Sequence, residues 1–163
     1  LIERAFPGVP WIFIYREPVE VMASHRRRKG GQVIPGVLQP EIFGMKLAKV
    51  SQMSPDEYCA RVLAGFCEAA LSYSDRENGL LINYRQLPEA VLDEIATHFK
   101  QTFSESDLAR LGSAGQLDAK NPFMPFEDDS VKKQSEATQE MRQLTTQLLE
   151  PLYAQLEAKR QGR

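Results

Sequence analysis

Arg16 and Ser24 are the residues of this chain whose types and spacing most directly suggest chemistry. They stand eight residues apart in Tyr15-Arg16-Glu17-Pro18-Val19-Glu20-Val21-Met22-Ala23-Ser24. A guanidinium offers a planar fork of N–H donors that meets a phosphate with two parallel, charge-assisted hydrogen bonds. A serine two helical turns further on can add a hydroxyl to the same group. The chemistry implied is the binding of an anion. The plainer alternative is that Arg16 pairs with Glu17 or Glu20 and Ser24 is a packed helix serine.

Other reactive side chains carry less. His25 follows Ser24 and begins the run His25-Arg26-Arg27-Arg28-Lys29. A histidine beside four basic residues is more often a surface group than a base, and basic residues suit a helix C-terminus. The run can also help draw an anionic ligand. His25 and His98 have no partner at metal-ligand spacing, so no metal site is expected. Cys59 and Cys67 fall eight residues apart in one expected helix, roughly 12 Å along its axis. That is too far for a disulfide, and both read as reduced core thiols.

The elements that would position Arg16 and Ser24 can be read from the apolar pattern. Trp11-Ile12-Phe13-Ile14-Tyr15 is a continuous apolar run behind a Pro-Gly turn, and it reads as a buried parallel strand. Arg16 lies at its carboxyl end, where open parallel sheets bind ligands. Pro18 suits the first position of a helix running to about Lys29, stopped by Gly30-Gly31. Free N–H groups at that helix start favour anions. Residues 30–54 form a long Gly- and Pro-containing loop of the kind that is often functional. Ser54-Pro55-Asp56-Glu57 reads as a capping box opening a second helix, with Tyr58, Val62, Phe66, Ala69 and Tyr73 inward.

Leu80-Leu81-Ile82-Asn83-Tyr84 reads as a second buried strand. A helix from about Pro88 to Lys100 follows, with Val91, Leu92, Ile95 and Phe99 inward. Ser104 caps a short helix, and residues 112–129 look irregular. A long helix from about Ser130 carries Met141, Leu144, Leu148, Leu152 and Leu156, and Pro151 should bend or divide it.

The segment from Trp11 to Ser24, with its apolar strand, Tyr-Arg-acidic-Pro and a serine eight residues after the arginine, resembles the 3′-phosphate-binding segment of sulfotransferases that use 3′-phosphoadenosine 5′-phosphosulfate (PAPS). Leu81-Ile82-Asn83-Tyr84-Arg85-Gln86-Leu87-Pro88 resembles that family's strand ending in an aromatic that contacts the adenine. The long terminal helix with Tyr153 is similar to that of bacterial members. The resemblance implies that Arg16 and Ser24 hold the 3′-phosphate and that Tyr84 meets the adenine. It implies PAPS as donor co-substrate, no metal, and a hydroxyl or amine acceptor on a small molecule or macromolecule. The family's Lys-bearing 5′-phosphosulfate loop and its catalytic histidine have no match here and would precede Leu1. The chain is therefore expected to be an N-terminally truncated portion, inactive alone. The family's C-terminal Arg-Lys-Gly motif is also absent, and Lys120, Lys132 or Lys133 could replace its phosphate contact.

Composition sets the frame. A net charge of −2 gives no general pull toward nucleic acid, so any anion site must be local. No apolar run is long enough for a transmembrane helix, and a cytoplasmic protein is expected. Alternating strands and helices predict a three-layer α/β fold with a parallel sheet of the P-loop-like nucleotide-binding type. Residues 1–163 would form one domain, with 1–100 the α/β nucleotide-binding part and 101–163 a helical C-terminal section. Two further readings stand beside the sulfotransferase: a non-catalytic helical interaction domain or degenerate sulfotransferase relative, and a nucleotide kinase fragment.

Overall fold

The structure, a computed structural model, describes residues 5–75, 78–118, 121–125 and 127–162. The chain divides into two compact units. Unit 1 comprises Leu1–Tyr15 and Arg76–Asp129, and unit 2 comprises Arg16–Asp75 and Ser130–Arg163.

Unit 1 is built on two parallel strands, β1 (Trp11–Tyr15) and β2 (Gly79–Asn83). They pair in register from Trp11 opposite Gly79 to Tyr15 opposite Asn83. Leu81, Ile82 and Asn83 are buried, as is Tyr15. Gly79 is required by its neighbour, because a Cβ there would overlap the Trp11 ring. Asn83 ends β2 by capping a 3₁₀ turn, Tyr84–Gln86, through a reciprocal pair of bonds with Arg85 N–H and the Gln86 side chain. A π-helical turn, Val91–Ile95, runs into Ala96–His98. Its buried residues are Ala90 and Ala96, whereas Leu92, expected inward, is exposed. His98 Nε2 lies 3.2 Å from the Trp11 carbonyl oxygen and ties this segment to the start of β1.

A helix and a second pair of strands follow in unit 1. The first helix, α3 in chain order (Glu105–Gly115), is capped by Ser104, whose hydroxyl accepts from Asp107 N–H and donates to the Asp107 carboxylate. The bond donated by the Ser104 hydroxyl, with a second from the Ser104 N–H, holds the Asp107 carboxyl below its ordinary range. Short antiparallel strands β3 (Leu117–Asp118) and β4 (Asn121–Pro125) follow.

Unit 2 is a helical assembly. Its helices are α1 (Pro18–Arg27), α2 (Pro55–Tyr73), α4 (Ser130–Glu136), α5 (Gln139–Leu144) and α6 (Glu150–Gln161). Ser54 caps α2 by accepting from Glu57 N–H, while the Glu57 carboxylate takes the Arg61 guanidinium. One apolar cluster joins Met22 and Ala23 of α1 to Ala60 of α2, Met141 of α5 and Leu149. A second joins Val33, Met45 and Val50 to Tyr58, Cys59 and Val62. Complete burial of such aliphatic side chains stabilises by about 1.5–3 kcal/mol each. The Tyr58 hydroxyl is buried here with no hydrogen-bond partner among the described residues. Of the inward face expected for α2, Tyr58 and Val62 are buried, but Ala69 is exposed and Phe66 stays 36% accessible, edge-on to Phe43.

The long terminal helix is interrupted twice. Thr138 restarts it as a cap that accepts from Met141 N–H. A π-helical turn, Thr145–Leu149, then precedes α6, where Pro151 occupies the first turn. A proline there needs no N–H donor, so the helix is divided at low cost.

The expected three-layer α/β fold of the P-loop-like type is not adopted. Helices dominate the described residues, and the parallel sheet has two strands only. A parallel layer needs several strands buried on both faces. Among the described residues only 11–15 and 79–83 pair in parallel, and the first, expected to be a buried strand, buries Tyr15 but leaves Ile14 44% exposed. The other strand pair is short and antiparallel, with Phe123 of β4 92% exposed. The 30–54 connection forms no strand of a sheet. It folds instead as 3₁₀ turns at Gly31–Val33 and Pro40–Phe43 and one helical turn at Leu47–Val50.

Candidate functional site

Arg16 enters unit 2 directly before α1, and its surroundings are polar and closely packed. Glu17 caps α1: its carboxylate accepts from Glu20 N–H at 3.0 Å and from Gln134 Nε2 at 2.9 Å. Glu20, one turn on, is 2% exposed. Its Oε2 accepts from Arg16 Nε and, at 3.3 Å, from the Ser130 hydroxyl. Arg16 Nη2 in turn donates to Ser130 Oγ at 3.1 Å. Guanidinium, carboxylate and hydroxyl thus close a three-membered polar network between the start of α1 and the start of α4.

The fold produces this network for a simple reason. Glu20 lies on the face that α1 turns toward unit 2, flanked by buried Val19, Met22 and Ala23. A carboxylate held out of water requires a cation and hydrogen-bond donors. Arg16 and Ser130 supply both. The arginine is thereby held in one orientation, with two of its five N–H donors committed to these partners.

The remaining residues singled out by the sequence fall as follows. Ser24 is half-buried two turns along α1. The bond described for it is through its backbone, with its carbonyl accepting from Arg28 N–H at 3.0 Å. Arg16 and Ser24 share unit 2, and no contact between their side chains is described. Tyr84 belongs to unit 1, half-buried in the turn that follows β2. Lys132 is exposed, Lys133 on the same helix is 6% exposed, and Lys120 lies outside the described residues.

Two arginines of the basic run are paired within unit 2. Arg26 pairs with Asp56 at 3.1 Å and bonds Thr138 Oγ1 at 3.3 Å. Arg27 pairs with Glu136. His25 Nδ1 accepts from Gly30 N–H at 3.2 Å. That contact engages Nδ1 as an acceptor at the end of α1.

Cys59 and Cys67 are unpaired thiols on α2. Burial pushes the Cys59 thiol up to about 12, with Asp56 adding to the effect and Lys29 opposing it. Burial likewise raises Cys67 to about 11, with Glu68 adding to it. Both are protonated at neutral pH and poor nucleophiles. Among the described residues there is no cluster of three or more His, Cys, Asp or Glu side chains able to hold a metal ion. None of their helices is long and apolar enough to cross a membrane.

Sequence reasoning missed Ser130 and Gln134. Both stand more than a hundred residues from Arg16 and Glu17, and no local spacing signals that α4 returns to the start of α1. The one legible hint was Glu20 itself, an acidic residue among apolar ones on the inner face of α1. No family model matches the chain, and no curated protein or solved structure matches it.

Proposed function

We propose that this chain is the nucleotide-binding portion of a PAPS-dependent sulfotransferase, with Arg16 and Ser24 at the 3′-phosphate and Tyr84 at the adenine. The observation that carries the reading is the in-register parallel pairing of β1 and β2, which end together at Tyr15 and Asn83. Arg16 and Tyr84 are each the first residue after one of these carboxyl ends. Glu20 and Ser130 hold the guanidinium in one orientation at the start of α1.

The transferred group would be a sulfuryl, moved from PAPS to a hydroxyl or amine. By analogy with phosphoryl transfer, catalysis would rest on positioning and on neutralising spread negative charge. This chain's part would be to anchor the nucleotide.

The test is calorimetric titration with adenosine 3′,5′-bisphosphate, with adenosine 5′-phosphate as control. The bisphosphate should bind about 10- to 100-fold more tightly, the effect of one charge-assisted contact. Arg16→Lys retains a cation for Glu20 but loses the fork, and it should abolish most of that difference. Equal affinity for the two nucleotides refutes the assignment.

A second reading is favoured by one observation. The Arg16 guanidinium already neutralises a buried carboxylate, as a purely structural arginine would. On that reading the chain is a helical interaction domain, and neither nucleotide binds.

A further inference from the structure

Unit 2 contains a cavity of about 310 Å³ between the C-terminal half of α1 and the start of α2, with Glu140 of α5 on its wall. Met22, Val33 and Cys59 contribute apolar surface and are themselves buried. With Cys59 protonated, its thiol acts as a small apolar group.

The charged side chains of the wall are not equivalent. Arg26 and Asp56 are committed to each other. Lys29 and Glu140 are not. Neither takes part in an ion pair among the described residues, and Glu140 Oε1 accepts only from the Ser54 hydroxyl, at 2.5 Å. One cation and one anion therefore line the same small cavity beside apolar surface. A volume at the lower end of ligand pockets suits a ligand of amino-acid size.

We propose that this cavity binds a small zwitterion of the α-amino-acid class with an apolar side chain. The carboxylate pairs with Lys29. The ammonium pairs with Glu140, and the side chain lies against Met22 and Val33. A ligand with only one charge would leave the opposite wall charge without a partner, so the cavity should discriminate against it.

This inference is independent of the nucleotide reading, because it uses none of Arg16, Ser24 or Tyr84. The experiment is a titration of the chain, followed by amide chemical shifts, with L-leucine, leucinamide and N-acetylleucine. Leucine should bind about 10-fold or more tightly than either derivative, since each lacks one charge-assisted contact. Lys29→Gln should weaken leucine to the level of leucinamide and leave leucinamide unchanged. Glu140→Gln should weaken leucine to the level of N-acetylleucine and leave that derivative unchanged. Both replaced side chains are exposed, and glutamine at 140 still accepts from Ser54, so the fold should survive. Shifts confined to residues lining the cavity complete the expected result. Binding of none of the three up to their solubility overturns the proposal. So does N-acetylleucine binding as well as leucine, which would mean a simple anion site, or variants that leave the order unchanged.

Discussion

Removing the Arg16 guanidinium should destabilise unit 2 far more than a surface substitution would. The Glu20 carboxylate is 2% exposed and the Arg16 side chain 16% exposed, so the pair is withdrawn from water on the acid's side above all. Breaking a buried pair by deleting one partner costs about 3–5 kcal/mol, because the other charge stays buried. Arg16→Met keeps the aliphatic stem and removes only the charge. Ser130 can still donate to Glu20 and offsets part of the loss. A cost near ~3 kcal/mol is therefore expected, which for a chain of this size lowers Tm by roughly 6–12 °C.

The double variant Arg16→Met/Glu20→Leu removes both charges. It should recover most of that loss, since replacing a buried pair by apolar residues is often neutral. Urea denaturation of the parent chain, Arg16→Met, Glu20→Leu and the double variant, followed by circular dichroism, gives the coupling between the two side chains. A loss below about 1 kcal/mol in Arg16→Met would mean that the pair behaves as an exposed one, and the burial argument fails. A double variant no more stable than Arg16→Met would show that Glu20 is held by other groups.

Two predictions concern the second apolar cluster. The Cys59 thiol titrates at 9.0 in a solvated chain and near 12 in the fold, so above pH 9 the unfolded chain loses this proton first. This thiol should leave stability unaffected below pH 9 and lower it as pH rises beyond, by at most about 1.4 kcal/mol per pH unit, with Cys67 adding a similar fall up to about pH 11. Cys59→Ala should flatten that fall in urea titrations from pH 8 upward, and an unchanged slope would refute the assignment to this thiol. Tyr58→Phe removes a hydroxyl that is buried without a partner among the described residues. It should leave stability unchanged or raise it by about 1 kcal/mol in the same assay, whereas a clear loss would reveal a hydrogen bond to that oxygen.

Much of the local structure was legible because it depends on neighbours in the chain. The strand at 11–15 follows from five apolar residues behind a turn. The second strand was read one residue late, at 80–84 rather than Gly79–Asn83, because Asn83 can cap the next turn and so releases Tyr84 from the ladder. Pro18 and Pro55 mark helix starts since a proline there forfeits no hydrogen bond. Ser54 and Ser104 cap by bonding N–H groups three residues ahead. The separation of Cys59 and Cys67 along one helix already excluded a disulfide, and the thiols are indeed unpaired.

Tertiary structure decided what these elements build. The alternation of strands and helices suggested a layered sheet, yet two strands found only each other, and the helices packed among themselves. Periodicity named an inner face for α2 but could not say where neighbours end, so Phe66 and Ala69 remain accessible. Arg16 and Glu20 could be paired from their spacing. That Glu20 is buried, and that Ser130 closes the network from the far end of the chain, depends on α4 packing against α1. Burial and long-range partners are properties of a packed interior, and no window of neighbouring residues contains them.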